Sequence, residues 1–337
     1  MMWLRRRPPV YPACATAALA VALACASATR AAAQVPPHEN WQTFRTERFR
    51  ITFSPGLEAL ARHAAERAEA TYAQLARELG PGPRGVIDIL LTADADVTNG
   101  FATPFPSNRI VVYATPPVDD IGLGYTRDWV ELVIAHELVH IFHMDRAGLV
   151  GRVGRSIFGR VPTGWPLFPV IGTPQWSIEG LATYYESRLT GLGRVHGPLH
   201  EMILRTAVLE GRFESIDQAS GYGPRWPVGY RSYVYGSMFL DHLARRHGPE
   251  VLREIVGRTA GAVIPPTVAF DRIGRKATGT SFTAEWEAWR SELVARYTRL
   301  ADSLRAEGLT QSESLTSGGY STLYPRVAAD GRVAFAD

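Results

Sequence analysis

The run His136-Glu137-Leu138-Val139-His140 decides the class of fold and the chemistry expected of this chain. It lies inside an apolar helical pattern over 127–146. A spacing of four places both imidazoles on one helix face, one turn apart, where both can reach a single ion. Glu137 is then directed at a water on that ion. Because the surrounding residues are mostly valine, leucine and isoleucine, the helix is expected to be buried, and these polar side chains need partners.

A catalytic zinc site needs a third protein ligand, and a second helix, predicted over 174–189, offers one. This helix carries the run WSIEGLATYYE, in which Glu179 stands among apolar residues. A buried carboxylate is costly without a cation, so its position indicates a metal. Gly180 would let another backbone come close. Glu186, two turns further along the same face, suits the outer N–H of a ligand histidine.

Several other side chains are candidates for the same site. His143 lies on the same helix face as His136 and is a candidate substrate contact, ligand or cleft histidine. The alternative third ligands lie beyond the second helix, at His196, His200 and Glu201. One Zn²⁺ per chain is the expected cofactor.

HELVH followed by WSIEGLATYYE resembles the gluzincin metalloproteases, the thermolysin-like and aminopeptidase-like group called peptidase MA-like. The resemblance covers about residues 85–245. It implies a zincin-like catalytic domain in which His136, His140 and Glu179 hold zinc and Glu137 is the general base. The spacing departs from the aminopeptidases, because 38 residues separate His140 from Glu179 here. The extra length is a Gly/Pro-rich loop over 148–174, with one helical turn near 155–158, which would border the cleft.

The same resemblance implies a tyrosine that supports the oxyanion from a later helix, in a Y-x-x-G setting. Tyr233 matches this setting, with Tyr230 and Tyr235 as rivals. Aminopeptidases also carry a G-x-M-E-N stretch that recognises the free amino end of the substrate, and no such stretch precedes His136.

Residues 108–114 stand where the aminopeptidase edge strand is expected, and they contain no glutamate. Asn108, Ile110 and Val112 are therefore predicted to bind an extended peptide as an added strand. The missing glutamate disfavours an exopeptidase.

The N-terminal 33 residues have the layout of a secretory signal peptide, with arginines, an apolar stretch and a final Ala-Ala-Ala. A lipoprotein, modified at Cys25, is the alternative. Export to the periplasm or the exterior is expected, without a stable membrane span after cleavage. Cleavage removes four of the 36 basic residues and none of the 33 acidic ones, which leaves a net charge of −1 and no argument for nucleic acid. Both cysteines leave with it, so histidines and carboxylates must hold any metal.

The periodic segments predict an α+β protein with a small mixed sheet and a helical C-terminal half. The predicted domains are the signal peptide (1–33), a zincin-like metallopeptidase domain (34–310) and a C-terminal segment (311–337). Predicted strands lie within 41–53, 86–91 and 108–114. The predicted helices are 57–79, 127–146, 174–189, 199–211, 229–247, 249–259 and 283–306.

The C-terminal segment reads as strand, Asp-Gly turn and strand. It resembles the first strands of a TolB-like β-propeller blade, so the chain is expected to continue into a propeller. The alternative is a C-terminal flap that joins the zincin sheet.

Together these patterns predict a zinc-dependent endopeptidase that acts on a peptide or protein substrate. A zinc hydrolase of a non-peptide bond and a non-catalytic zinc-containing binding module are the alternatives.

Overall fold

The computed structural model describes residues 39–117, 122–221, 223–224, 226–317 and 323–336. The signal peptide predicted over 1–33 lies outside these residues. Within the described ranges, no helix combines the length and the apolar character that a membrane span requires.

The N-terminal half is built on a five-stranded mixed sheet. Its strands are β1 (Gln42–Arg45), β2 (Phe49–Phe53), β3 (Ile87–Thr92), β4 (Gly100–Thr103) and β5 (Arg109–Tyr113). The spatial order is β1-β2-β3-β5-β4. The inner pairs β2–β3 and β3–β5 are parallel, and both outer strands are antiparallel to their neighbours. Helix α1 (Glu58–Glu78) makes the crossover between β2 and β3 that parallel pairing requires.

The edge strand of this sheet is β4, and the prediction that 108–114 forms the edge is wrong. β5 is an interior strand that pairs with β3 on one side and β4 on the other. Ile110 and Val112 are fully buried, and Asn108 is buried beside Asp145, to which its amide donates. These three residues therefore do not present an edge to a peptide. β4 escaped prediction because its four residues include a glycine and show no apolar alternation.

The described residues between 129 and 307 form helices and the loops that join them, which confirms the α+β class. The helices are α2 (Trp129–Met144), α3 (Leu149–Phe158), α4 (Gln175–Thr190), α5 (Pro198–Leu209), α6 (Arg231–His247), α7 (Glu250–Ala260), α8 (Pro266–Thr278) and α9 (Phe282–Glu307). Single 3₁₀ turns occur at Pro169–Gly172, Gln218–Ser220 and Val228–Tyr230. Two helices differ from prediction: α3 has ten residues where one turn was expected, and α8 was not predicted.

Helix α2 carries the H-E-x-x-H run and is held at its start. The side chain of Asp128 accepts a hydrogen bond from the backbone N–H of Glu131, which caps the helix. His63 of α1 contacts the same carboxylate. The indole N–H of Trp129 donates to the carbonyl oxygen of Tyr113 at the end of β5. The first turn of α2 is thus fixed against both the sheet and α1.

Helices α4 and α6 cross at a pair of glycines. A Cβ on Gly180 would lie 2.6 Å from the Cα of Gly236, and a Cβ on Gly236 would overlap the carbonyl oxygen of Trp176. The two backbones therefore touch, as expected for Gly180 from the sequence. This crossing fixes the position of Tyr233, three residues before Gly236, relative to Glu179.

The C-terminal strands β6 (Leu323–Val327) and β7 (Val333–Ala336) form a hairpin with a sheet of its own. The strand–turn–strand pattern is thus confirmed, with Gly331 at φ +83° in the turn. Among the described residues, neither strand pairs with the five-stranded sheet. The side chains of residues 324–335 are exposed. Continuation into a propeller stays a prediction.

Candidate metal centre

His136, His140 and Glu179 meet at one point between α2 and α4. The Nε2 atoms of the two histidines are 3.2 Å apart. Oε2 of Glu179 lies 3.5 Å from Nε2 of His136 and 3.3 Å from Nε2 of His140. Ligands at about 2.1 Å from a tetrahedral zinc ion are about 3.4 Å from one another. The three donor atoms therefore have the nature and the separation that zinc requires.

The local structure directs one oxygen of Glu179 at the histidines. Gln175, one turn earlier on α4, donates from its amide to Oε1 of Glu179 at 2.9 Å. Oε2 is left to face the two imidazoles. Both histidines are buried at 7% exposure, so an ion bound here would be largely shielded from bulk water.

The electrostatics of this cluster favour a positive charge between its members. Burial alone would raise the pKa of the Glu179 carboxyl, but the imidazoles of His140 and His136 outweigh burial and hold that pKa far below its usual range. Burial likewise opposes protonation of His136, yet the carboxylates of Glu179 and Glu186 raise its pKa to about 9. An ionised carboxylate that faces two imidazoles offers the charge that a cation needs.

Glu186 lies behind His136 and is fully buried. Its Oε2 accepts from Nδ1 of His136 at 2.8 Å. This hydrogen bond fixes the orientation of the ring and leaves the lone pair of Nε2 available to a metal ion. The same carboxylate pairs with Arg194, whose Nε and Nη2 donate to its two oxygens at 2.8 and 2.6 Å.

Arg194 was not identified from the sequence. It follows α4 after Gly191 and Gly193, which adopt φ angles of +73° and +87° and turn the chain back toward Glu186. A buried carboxylate needs a cation or several hydrogen-bond donors, so a partner of this kind is expected beside Glu186. The signal available was the pair of glycines just after the helix. The guanidinium also lies 4.8 Å from the centre of the Tyr233 ring.

Glu137 is buried on the other side of the ligands, against the edge strand. Its Oε2 has no hydrogen-bond partner within the described part of the chain. Burial raises the pKa of its carboxyl. A Cβ on Gly100 of β4 would lie 3.3 Å from Cγ and Oε1 of Glu137, so the strand needs its glycine to approach α2 this closely. The carboxylate thus stands between the ligand cluster and the edge of the sheet.

The ligand cluster opens into a cavity of about 690 Å³. Residues 98–105, which include β4, form one wall, and one face of α2 together with one face of α4 forms another. Among the described residues, two tyrosines line it. The ring of Tyr233 lies 6.3 Å from the His136 ring at an angle of 26°, and Tyr230 is more exposed. Tyr235 is fully buried against Trp286 and does not reach the cavity.

The other candidates lie elsewhere. His143, predicted as a substrate contact, lines a separate small pocket with Trp176 and Leu252, so that prediction is wrong. Burial lowers its pKa to about 3. His200 is buried beside Ser237, and Glu201 pairs with Arg296 at 2.8 Å. His196 is exposed. The cluster of potential ligands found among the described residues comprises His136, His140 and Glu179.

Comparison with known proteins gives a likeness of fold at low identity. No sequence-family profile matches the chain, and no curated protein matches it in sequence. The M1 zinc metallopeptidase from Deinococcus radiodurans has 16% identity and a TM-score of 0.45, over 74% of this chain and 51% of that one. Native yeast LTA4 hydrolase has 14% identity and a TM-score of 0.40, over 81% of this chain and 40% of that one. The chain spans about half the length of the metallopeptidase and less than half the length of the hydrolase.

Removal of the carboxylate ligand is expected to empty the site. Purified protein should carry about one zinc per chain, and Glu179→Gln should lose most of it because a neutral amide is a weak zinc ligand. Glu201→Gln is the matched control, since Glu201 pairs with Arg296 instead. The readout is zinc content by mass spectrometry after dialysis. Retention in Glu179→Gln, or loss in Glu201→Gln, contradicts this ligand set.

Proposed function

We propose that this chain is a zinc-dependent peptide-bond hydrolase of the endopeptidase type. The carrying observation is the set of three donor atoms at zinc-compatible spacing, beside a buried carboxylate and open to a cavity along a sheet edge. His136, His140 and Glu179 would hold the ion. When bound, zinc would supply a Lewis acid for the scissile carbonyl and lower the pKa of a water.

Glu137 is the proposed general base and proton carrier. It takes a proton from the attacking water and passes it to the leaving amine. Its Oε2 suits this task because no donor in the described part of the chain competes for it. Gly100 of β4 leaves a narrow space beside the Glu137 side chain.

Tyr233 is the proposed donor to the oxyanion that forms on the substrate carbonyl. Two contacts support it: its ring faces His136, and the Arg194 guanidinium lies over the ring. Arg194 and Glu186 would act through other residues, by fixing His136 and Tyr233. Tyr230 is the second candidate because it lines the same cavity.

The proposed peptide-binding element is the outer edge of β4. An extended peptide would add there as a further strand, hydrogen-bonded through its backbone. This position brings the peptide past Glu137, because Gly100 of β4 packs against that residue. Residues 98–105 would then contact the substrate side chains.

The carboxylates of the cavity support an endopeptidase over an aminopeptidase. Among its described lining residues they are Glu137, Glu179 and Glu186. Each has a proposed role as base, ligand or partner of His136. None is left to pair with the free amino end of a substrate, an ion pair that an aminopeptidase needs at its cleft.

Internally quenched peptides with free or acetylated N-termini test the proposal. We expect both forms to be cut within the chain at similar rates, with loss of activity on chelation and recovery on addition of zinc. Stepwise removal of residues from the free form alone would show an aminopeptidase. Hydrolysis of esters without cleavage of any peptide would favour the non-peptide alternative, and zinc binding without hydrolysis would favour a binding module.

A further inference from the structure

Helix α3 turns its apolar side chains toward solvent. Leu149, Val150, Val153 and Ile157 fall within about 100° of one another on the helical wheel. Val153 is 49% exposed and Ile157 67%. We call these four residues the apolar face. An exposed apolar row on a helix is unusual for a protein surface that meets only water.

The opposite side of α3 faces inward with glycines and one arginine. A Cβ on Gly151 would lie 2.6 Å from the carbonyl oxygen of Pro166, so the helix lies directly on the following loop. Arg155 points inward, where it donates to Asp145 and to the carbonyl oxygen of Leu167. The usual amphipathic arrangement is therefore inverted. The small and polar residues pack against the rest of the protein, and the apolar face is exposed.

Neighbouring loops extend the apolar face. Gly148, which directly precedes α3, packs on Gly261. The indole of Trp165 donates to the carbonyl oxygen of Ala262 and is itself partly exposed. Val263 follows directly and is 74% exposed. The solvent-facing apolar surface is thus wider than one helix.

A cavity rich in arginine lies on the flank of the same helix. Its volume is about 970 Å³, and its arginines are Arg84, Arg146, Arg152, Arg155, Arg160 and Arg253. Asp145 is the carboxylate among its described lining residues. It pairs with Arg155 and Arg160 at 3.0 and 2.7 Å. We call this space the arginine cavity.

Four of these arginines have no carboxylate partner in the described part of the chain: Arg84, Arg146, Arg152 and Arg253. Arg146 instead donates to the carbonyl oxygens of Leu79 and Pro81. Burial and, to a smaller extent, the nearby charge of Arg253 lower the pKa of Arg146. The cavity therefore carries positive charge that an external anion would balance.

We propose that the apolar face and the arginine cavity together dock onto an anionic phospholipid surface. The apolar side chains would enter the boundary between headgroups and acyl chains, and the arginines would meet the phosphates. A symmetric contact with a second copy is disfavoured because it would bring two cationic cavities together. A free phosphate ion would use the cavity and leave the apolar face unexplained.

Vesicle co-sedimentation of the purified chain tests the proposal. We expect binding to vesicles of equal parts phosphatidylcholine and phosphatidylglycerol, weaker binding to phosphatidylcholine alone, and release as salt is raised. Val153→Ser with Ile157→Ser should weaken binding at least about tenfold. Arg152→Gln should weaken it about fivefold. All three residues are exposed, so thermal melting should be unchanged.

Matched controls lie on α9, away from this surface. Val294→Ser with Leu304→Ser changes two exposed apolar residues, and Arg299→Gln an exposed arginine. Both should bind like wild type. Three results would overturn the proposal. One is no vesicle binding, or equal binding by all variants. Another is self-association in sedimentation velocity that the α3 variant abolishes without any vesicle binding. The third is that inorganic phosphate releases the protein from the vesicles while the α3 substitutions leave vesicle binding unchanged.

Discussion

Glu137→Gln is expected to lower kcat/KM for a quenched peptide by at least about 10³-fold while the zinc content stays at the wild-type level. The amide matches the carboxylate in shape but cannot take a proton from water. Because one group would both receive and deliver the proton, its loss affects two steps. The measurement is kinetics on zinc-loaded protein, with metal content determined on the same sample.

The stability of this variant provides a second readout. Oε2 of Glu137 is buried without a hydrogen-bond partner among the described residues, and burial raises the pKa of the carboxyl. A neutral amide removes the cost of burying that charge. The melting temperature of Glu137→Gln should therefore equal or exceed that of the wild type. If the site had only a structural role, Glu137→Gln would not lose activity while its melting temperature is retained.

Glu131→Gln is the matched control on the same helix. Glu131 lies near the start of α2, where it pairs with Arg67 at 3.3 Å on the side facing α1. A partly exposed pair of this kind contributes little to stability. Its removal should leave kcat/KM near the wild-type value. Peptide turnover near wild type in Glu137→Gln would reject the proposed mechanism, and an equal loss in both variants would point to damage of helix α2.

The long helices and the ligand spacing could be read from the sequence because the information is local. An apolar repeat of 3.6 residues marks α1, α2 and α4 to within about two residues. Four-residue spacing puts two histidines on one helix face, whatever surrounds the helix. The class of fold follows from the order of such segments. These features depend on the period of the chain and not on its tertiary contacts.

The features that were missed depend on tertiary contacts. β4 forms a strand because it pairs with β5 and because Gly100, which has no side chain, fits closely against α2. α3 contains two glycines, which lower its helix propensity, and its contacts with the following loop hold it in place. Arg194 reaches Glu186 through a turn of the backbone that no periodic pattern records. Sequence periods do not carry such information.

The choice among three tyrosines shows the same limit within one short segment. Tyr230, Tyr233 and Tyr235 are close in sequence, yet Tyr235 is in the core while the other two line the cavity. The direction of each ring follows from the rotation of α6 about its axis. That rotation is set where Gly236 meets α4. The glycine is visible in the sequence, but its contact partner is not.

Gly236→Ala is expected to be the most destabilising small change in the helical half, at about 3 kcal/mol or more. The new methyl group would overlap the carbonyl oxygen of Trp176, and it would lie 2.9 Å from the Cα of Gly180. Both obstacles are backbone atoms, so no side-chain rotation can relieve the clash and the helices must separate. Separation moves Glu179 relative to α6, so any folded fraction should also lose activity on peptides. The readouts are urea denaturation and peptide kinetics on the same preparations.

Gly257→Ala supplies the opposite expectation from the same substitution. Gly257 lies inside α7, and no heavy atom outside its own helix turn lies within 4 Å of the position that a Cβ would take. Alanine there should stabilise the protein by about 0.5–1 kcal/mol, because it restricts the unfolded chain and favours the helix. Both variants add the same methyl group, and they differ only in the tertiary contacts that it meets. A difference of several kcal/mol between their free energies of unfolding therefore measures the close contact of α4 and α6.

If the free energies of unfolding of Gly236→Ala and Gly257→Ala differ by less than about 1 kcal/mol, the crossing tolerates a methyl group. The glycine pair then does not set the position of Tyr233 relative to Glu179, and Tyr230 becomes the better candidate for the proposed oxyanion donor.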